Sequence, residues 1–136
     1  MDLDFNKNED SMKQALGLLR NRFQKIAMGG GAKSIGKQHE KNKLTARERI
    51  NYLLDKDTGF YEIGAFAGYE MYDEYGGCPA GGTVAGIGYV CGRQCIILAN
   101  DQTVKAGAWF PITGKKKSSG TGDRDGKPSA HHIHCG

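Results

Sequence analysis

The stretch that decides the fold is Thr83-Val84-Ala85-Gly86-Ile87-Gly88-Tyr89-Val90, continued after a short break by Cys95-Ile96-Ile97-Leu98-Ala99. Its first half reads as a strand, a turn falls around Gly92-Arg93, and the second half completes a hairpin. Cys95 to Ala99 is an unbroken apolar run, the pattern of a strand covered on both faces. Such a strand needs a layer on each side. The aromatic-rich part of the chain stops at Phe110 and cannot supply both layers by itself, so the strand implies missing structure, in the same chain or a partner.

Upstream of the hairpin, Gly76 to Pro79 and Gly81-Gly82 read as a loop, Phe60 to Ile63 as a short strand, and Asp55 to Gly59 as a turn. Thr45 followed three residues later by Glu48 is a capping box, in which each side chain satisfies an amide otherwise left unpaired. It predicts a helix reaching Leu54, with Ile50, Leu53 and Leu54 on the buried face. Further upstream, Met12, Leu16, Leu19, Phe23 and Ile26 repeat at spacings of four and three. They predict a helix over Ser11 to Met28, begun by Asp10 or Ser11. Gly29-Gly30-Gly31 ends it, reading as a mobile link. The glycines precede Lys33-Ser34, yet the spacing of a phosphate loop is absent and no strand comes before them.

With 136 residues, the chain allows one small domain or a piece of a larger one, not a two-domain enzyme. Glycine fills 21 positions, an excess that points to turns and close backbone approaches. No run approaches the roughly 18 apolar residues of a membrane span. Met1 to Asp10 is acidic without an apolar signal core, and a cytoplasmic location is expected. Residues 1–57 carry 12 basic and 8 acidic groups, residues 58–114 carry 2 and 5, and residues 115–136 carry 5 and 2. The basic last block holds no aromatic residue to stack on bases, which argues against a nucleic-acid face. It also has little with which to build a core, so disorder is expected over 118–136.

Cys78, Cys91, Cys95 and Cys135 lack paired spacing and a secreted context, so reduced thiols are expected. Cys91 and Cys95 are read as facing each other across the hairpin, as small buried hydrophobes. His131, His132, His134 and Cys135 are packed too tightly for the loop-forming spacing of a structural zinc site, and no metal role is expected.

Four segments occur in order: Lys43-Leu44-Thr45-Ala46-Arg47-Glu48-Arg49-Ile50, Phe66-Ala67-Gly68-Tyr69, Gly81-Gly82-Thr83-Val84-Ala85-Gly86-Ile87-Gly88, and Ala99-Asn100-Asp101-Gln102-Thr103-Val104-Lys105. Together they resemble the start of the carboxyltransferase (beta) subunit of biotin-dependent acyl-CoA carboxylases, the methylcrotonoyl-CoA branch more than the propionyl-CoA branch. The resemblance covers residues 25–117. It implies an α/β fold, partial crotonase-like ββα, with N-terminal helices followed by the first strands of the sheet and a disordered C-terminal tail. In domain terms, an N-terminal helix (1–28) precedes the start of the carboxyltransferase N-terminal domain (29–117), followed by the tail (118–136).

The implied chemistry is carboxyl transfer from carboxybiotin to an acyl-CoA enolate held by backbone amides. The resemblance implies biotin carried by a partner subunit or domain, acyl-CoA as substrate, and no metal. It further implies a biotin carboxylase or carrier partner and a homo-oligomeric parent, without nucleic acid or membrane. No catalytic side chain is assigned. Lys105, Ala106, Gly107 and Ala108 form the candidate acyl-CoA pocket loop, with Ala106 standing where many relatives have glycine. The glycine-rich turn that supplies the oxyanion amides is expected beyond Gly136, so this chain alone is expected to be inactive.

After Lys116 the family resemblance continues as a helix and an apolar strand, whereas Ser118 to Gly136 does not match in the written frame. Regrouping each codon as its last two bases plus the first of the next permits Thr121 to Cys135 to read QEIAMENRLPIIYIV, which resembles that helix and strand. An extra adenine in the codons of Lys115-Lys116-Lys117 accounts for the shift. The alternative reading is a small CoA-binding or protein-interaction module derived from the family, with a basic, His-rich tail.

Overall fold

A computed structural model describes residues 3–120 and 131–135. Helix α1 spans Leu3–Ala27, α2 Ala32–His39 and α3 Ala46–Leu53. Strands β1 (Tyr61–Ile63), β2 (Thr83–Val90) and β3 (Arg93–Asn100) follow, then α4 (Pro111–Gly120) and β4 (His131–Cys135). The sheet order is β1-β2-β3-β4, antiparallel except for the parallel β3–β4 pair.

α1 begins eight residues before the predicted Ser11. Phe5 extends the apolar spacing backwards from Met12, and Asp4 in the first turn suits the positive end of the helix dipole. Ser11 does not cap; its hydroxyl donates to the Lys7 carbonyl at 2.9 Å inside the helix. The glycine triplet is also a correction, being clamped where a mobile link was expected. The Gly30 amide donates to Thr103 Oγ1 at 3.0 Å. A Cβ at Gly30 would lie 1.8 Å from the Thr103 carbonyl oxygen, so only glycine permits this contact.

The capping box forms as predicted. Thr45 N donates to Glu48 Oε2 at 2.7 Å, and Glu48 N donates to Thr45 Oγ1 at 3.4 Å. His39 Nε2 lies 3.0 Å from both Glu48 oxygens and ties α2 to α3. The bond from the Thr45 amide, with help from His39, holds the Glu48 carboxyl down at about 2 against an ordinary 4.5.

The hairpin turns at Cys91-Gly92, one residue before the sequence reading, because both residues have positive φ (52° and 72°) as a two-residue hairpin turn requires. The Asp55 carboxylate accepts both turn amides at 2.7 Å. Cys91 is therefore exposed at the tip, and the partner of buried Cys95 is Gly88, not Cys91.

Cys95, Ile97, Ala99 and Val84 pack against Ala46 and Ile50 of α3. Leu54 and Phe60 lie on the same face, admitted by Gly88 and Gly86. A Cβ at either glycine would come within 2.4 Å of those side chains. α4 covers the opposite face, with Thr113 buried and its hydroxyl donating to the Gly81 carbonyl at 2.6 Å. The chain thus contributes to both layers itself. The α4 side is incomplete: Ile96 is half-buried and lines a cavity of about 240 Å³ with Ile63, Ala85 and Ile112.

In the tail, α4 reaches Gly120 and His131–Cys135 pairs in register with Cys95–Ala99. Both pieces fall in the 118–136 stretch, where they are the only regular elements among the described residues. The open side of β3 offers unpaired amides and carbonyls along an apolar strand, and β4 satisfies them. Residues 121–130 and 136 lie outside the described residues.

Thr45→Ala is expected to destabilise the fold by about 1 kcal/mol in urea unfolding. Because the folded Glu48 pKa lies below its unfolded value, its contribution is present above pH 4.5 and declines as pH falls towards 2. The gap between wild type and Glu48→Gln should therefore close over that range.

Candidate functional site

The loop Lys105–Ala108 is held by the turn before it. The Asp101 amide donates to the Gly82 carbonyl at 3.0 Å. Asp101 Oδ1 accepts from the amide of Thr103 at 2.9 Å and from its hydroxyl at 2.6 Å. Thr103 in turn receives the Gly30 amide, so the end of α1 is locked to the loop after β3. Lys105, Ala106 and Gly107 then have positive φ of 48°, 55° and 83° in succession. For the two non-glycine residues this is a strained conformation, maintained by the anchored turn. The Gly107 amide donates to Val104 O at 2.9 Å and the Ala108 amide to Lys105 O at 3.0 Å.

Lys105 and Ala106 line a cavity of about 620 Å³. Its other walls are Gly29-Gly30-Gly31 with Ser34, Lys37 and Lys41, the turn Gln102-Thr103, and Gly76-Gly77. Among the described residues, three lysines and no acidic residue line it, and the glycines leave backbone exposed to whatever it holds. That arrangement suits a phosphorylated or otherwise anionic ligand. Ala108 lines a second, open depression with Glu74, Tyr75 and Phe110, and Gly107 lines neither.

Of the four loop residues singled out from sequence, the structure therefore brings two into the basic cavity. Lys37 and Lys41 were missed by sequence reading. Their signal was a four-residue spacing directly after the glycines, masked by the absence of a strand-preceded phosphate loop.

A second cluster, also missed, sits under α4. Lys116 is 8% exposed and donates to the carbonyls of Ala80 (2.8 Å) and Thr83 (2.7 Å). Burial lowers its pKa to about 8, against the raising influence of Glu62. Glu62 is itself paired with Arg47 through both guanidinium nitrogens. Burial pushes the nearby Cys78 thiol up. The cluster is buried among protein groups and closes the core; the solvent-accessible chemistry lies on the lysine cavity. Among the described residues, no group of three or more His, Cys, Asp or Glu side chains could hold a metal ion, and no helix is long and apolar enough to cross a membrane.

The family model of the carboxyl transferase domain matches residues 37–125, and the chain belongs to that family. The match continues past Lys117 into the tail. The chain is 46% identical over 113 residues to the probable mitochondrial methylcrotonoyl-CoA carboxylase beta chain of Drosophila melanogaster, covering 83% of this chain and 19% of that one. It is 43% identical over 112 residues to the mitochondrial methylcrotonoyl-CoA carboxylase beta chain of Arabidopsis thaliana, covering 82% and 19%. The chain thus spans about a fifth of the length of these relatives.

Among solved structures, the beta subunit of geranyl-CoA carboxylase from P. aeruginosa superposes with a TM-score of 0.73 at 32% identity, covering 85% of this chain and 22% of that one. The transcarboxylase 12S hexamer gives 0.72 at 34%, covering 80% and 22%. The helices followed by antiparallel strands are the opening of this crotonase-like α/β fold.

Lys116 binds one proton fewer in the folded than in the unfolded chain between about pH 8 and its ordinary 10.5. Stability should therefore rise with pH across that window. Urea unfolding at pH 7.5 and 10 is expected to show the rise in wild type and not in Lys116→Met. Parallel behaviour of the two proteins would refute it.

Proposed function

We propose that this chain is the opening portion of a carboxyltransferase subunit that receives a carboxyl group from carboxybiotin on a 3-methylcrotonoyl-CoA-like substrate. The observation that carries the reading is the cavity walled by Lys37, Lys41, Lys105 and the clamped glycines, adjoining the loop Lys105–Ala108. Coenzyme A carries several phosphate charges at one end and a thioester at the other. Lysines placed on both sides of exposed backbone can hold the phosphates while the small residues Ala106 and Ala108 admit the chain that follows. In this reading none of the described residues acts as base or nucleophile. In this reading biotin arrives on a partner subunit or domain, enolate stabilisation falls to backbone amides outside this chain, and the chain by itself does not turn over.

The same proposal includes a shifted reading frame after Lys117. The parallel register supports it, for His131–Cys135 runs beside Cys95–Ala99, the most apolar strand of the sheet, and a neighbour of such a strand is expected to be apolar as well. The written His-His-Ile-His-Cys suits that position poorly; the regrouped IIYIV suits it well. Resequencing should find an adenine run across the codons for Lys115 to Lys117. Deleting one adenine should restore a long open frame, and an early stop codon there would favour the interaction-module alternative.

Calorimetric titration of the full chain with coenzyme A is expected to show binding that weakens at least about tenfold in Lys37→Glu or Lys105→Glu and falls steeply with salt. Absence of binding, or binding indifferent to both substitutions, would remove the cavity from the reading.

A further inference from the structure

α1 carries a seam that the carboxyltransferase reading does not use. Phe5, Met12, Leu19 and Ile26 stand seven residues apart, and Leu16 and Phe23 form a second row four residues after Met12 and Leu19. This is the narrow 3.5-residue repeat of a helix that pairs with another helix, not the broader face of one lying on a core. The last turns are anchored: Ile26 is 3% exposed, and Phe23 meets Phe66 with ring centroids 6.4 Å apart. Phe5, Met12, Leu16 and Leu19 are 42–63% exposed.

The charges on α1 are divided along its length. Leu3 to Ser11 holds Asp4, Glu9 and Asp10 against Lys7, whereas Met12 to Ala27 holds Lys13, Arg20, Arg22 and Lys25 and no acid. A parallel pair of such helices sets basic half against basic half, while an antiparallel pair sets basic against acidic. The antiparallel register that brings the two apolar rows together opposes Met12 to the second copy's Leu16 and Phe5 to its Phe23. At that end the structure already has a receptacle, a cavity of about 310 Å³ lined by Leu19, Arg20, Phe23, Gln24 and Phe66. Glu9, which also falls on the seam, is neutralised by Lys13 at 2.8 Å.

We propose that α1 is a self-pairing element, through which two copies of this chain associate as antiparallel helices with Phe5 of each seated in the cavity beside Phe23 of the other. The complement this seam requires, an apolar row with an acidic half facing its basic half, is present on α1 itself, which is why the occupant is a second copy.

Sedimentation equilibrium of the full chain under reducing conditions, with helix content followed by circular dichroism, tests this. The expected result is a monomer–dimer equilibrium that weakens with added salt, and at least about tenfold in Leu16→Asp. Orientation is read from charge variants that leave the apolar seam intact. A copy carrying Arg22→Glu and Lys25→Glu, or one carrying Asp4→Lys and Asp10→Lys, should pair with wild type more weakly than wild type pairs with itself, because in an antiparallel pair the altered half meets a half of its own sign. Tighter pairing of either variant with wild type would mean parallel helices and would overturn the proposal. A monomer at every concentration up to about 100 μM, or a dimer indifferent to Leu16→Asp and to both charge sets, would overturn it as well.

Discussion

The register between β2 and β3 is the constraint on which the remaining structure rests. It is set at the tip, where the Asp55 carboxylate takes the amides of Cys91 and Gly92, and propagates to the Thr83–Asn100 pair. Side chains alternate between the faces of a strand, so a slip by one residue would exchange the two faces. Cys95, Ile97 and Ala99 would leave α3, and the carbonyls that receive Lys116 would no longer lie under α4. At the far end the same register delivers Asp101 to the Gly82 carbonyl and starts the turn that builds the cavity.

From that turn a hydrogen bond between a backbone amide and a side-chain hydroxyl carries the order to the end of α1. Gly30 donates to Thr103, whose hydroxyl is itself oriented by Asp101. The three positive-φ residues Lys105 to Gly107 are thus placed against the glycine triplet, although some seventy residues of chain separate the two segments. The basic cavity is a product of long-range closure: none of its walls is complete without the others.

This explains which parts could be read from sequence. Thr45 and Glu48 are local, each satisfying the other's helix end within one turn, and the capping box was legible for that reason. The Cys95–Ala99 run and the limits of β2 were legible because burial writes itself into consecutive residues. The clamping of Gly30 was not, since a glycine that is free and a glycine pressed against a carbonyl look alike in one dimension. The four-residue spacing of Lys37 and Lys41 takes on meaning only once the fold brings Lys105 to the same cavity. In the written frame β4 carries no apolar signal, and its place follows from the open edge of β3.

At the opposite margin of the sheet, the brevity of β1 has a protective consequence. A strand of three residues presents too short a run of free amides and carbonyls for a neighbouring chain to zip onto. Its central residue, Glu62, is turned inward to Arg47, so an extended ladder continuing across it would have to accommodate a buried carboxylate already committed to a partner. That margin is poorly suited to fibrous stacking, which matters for a chain whose neighbouring strand β2 is rich in β-branched residues.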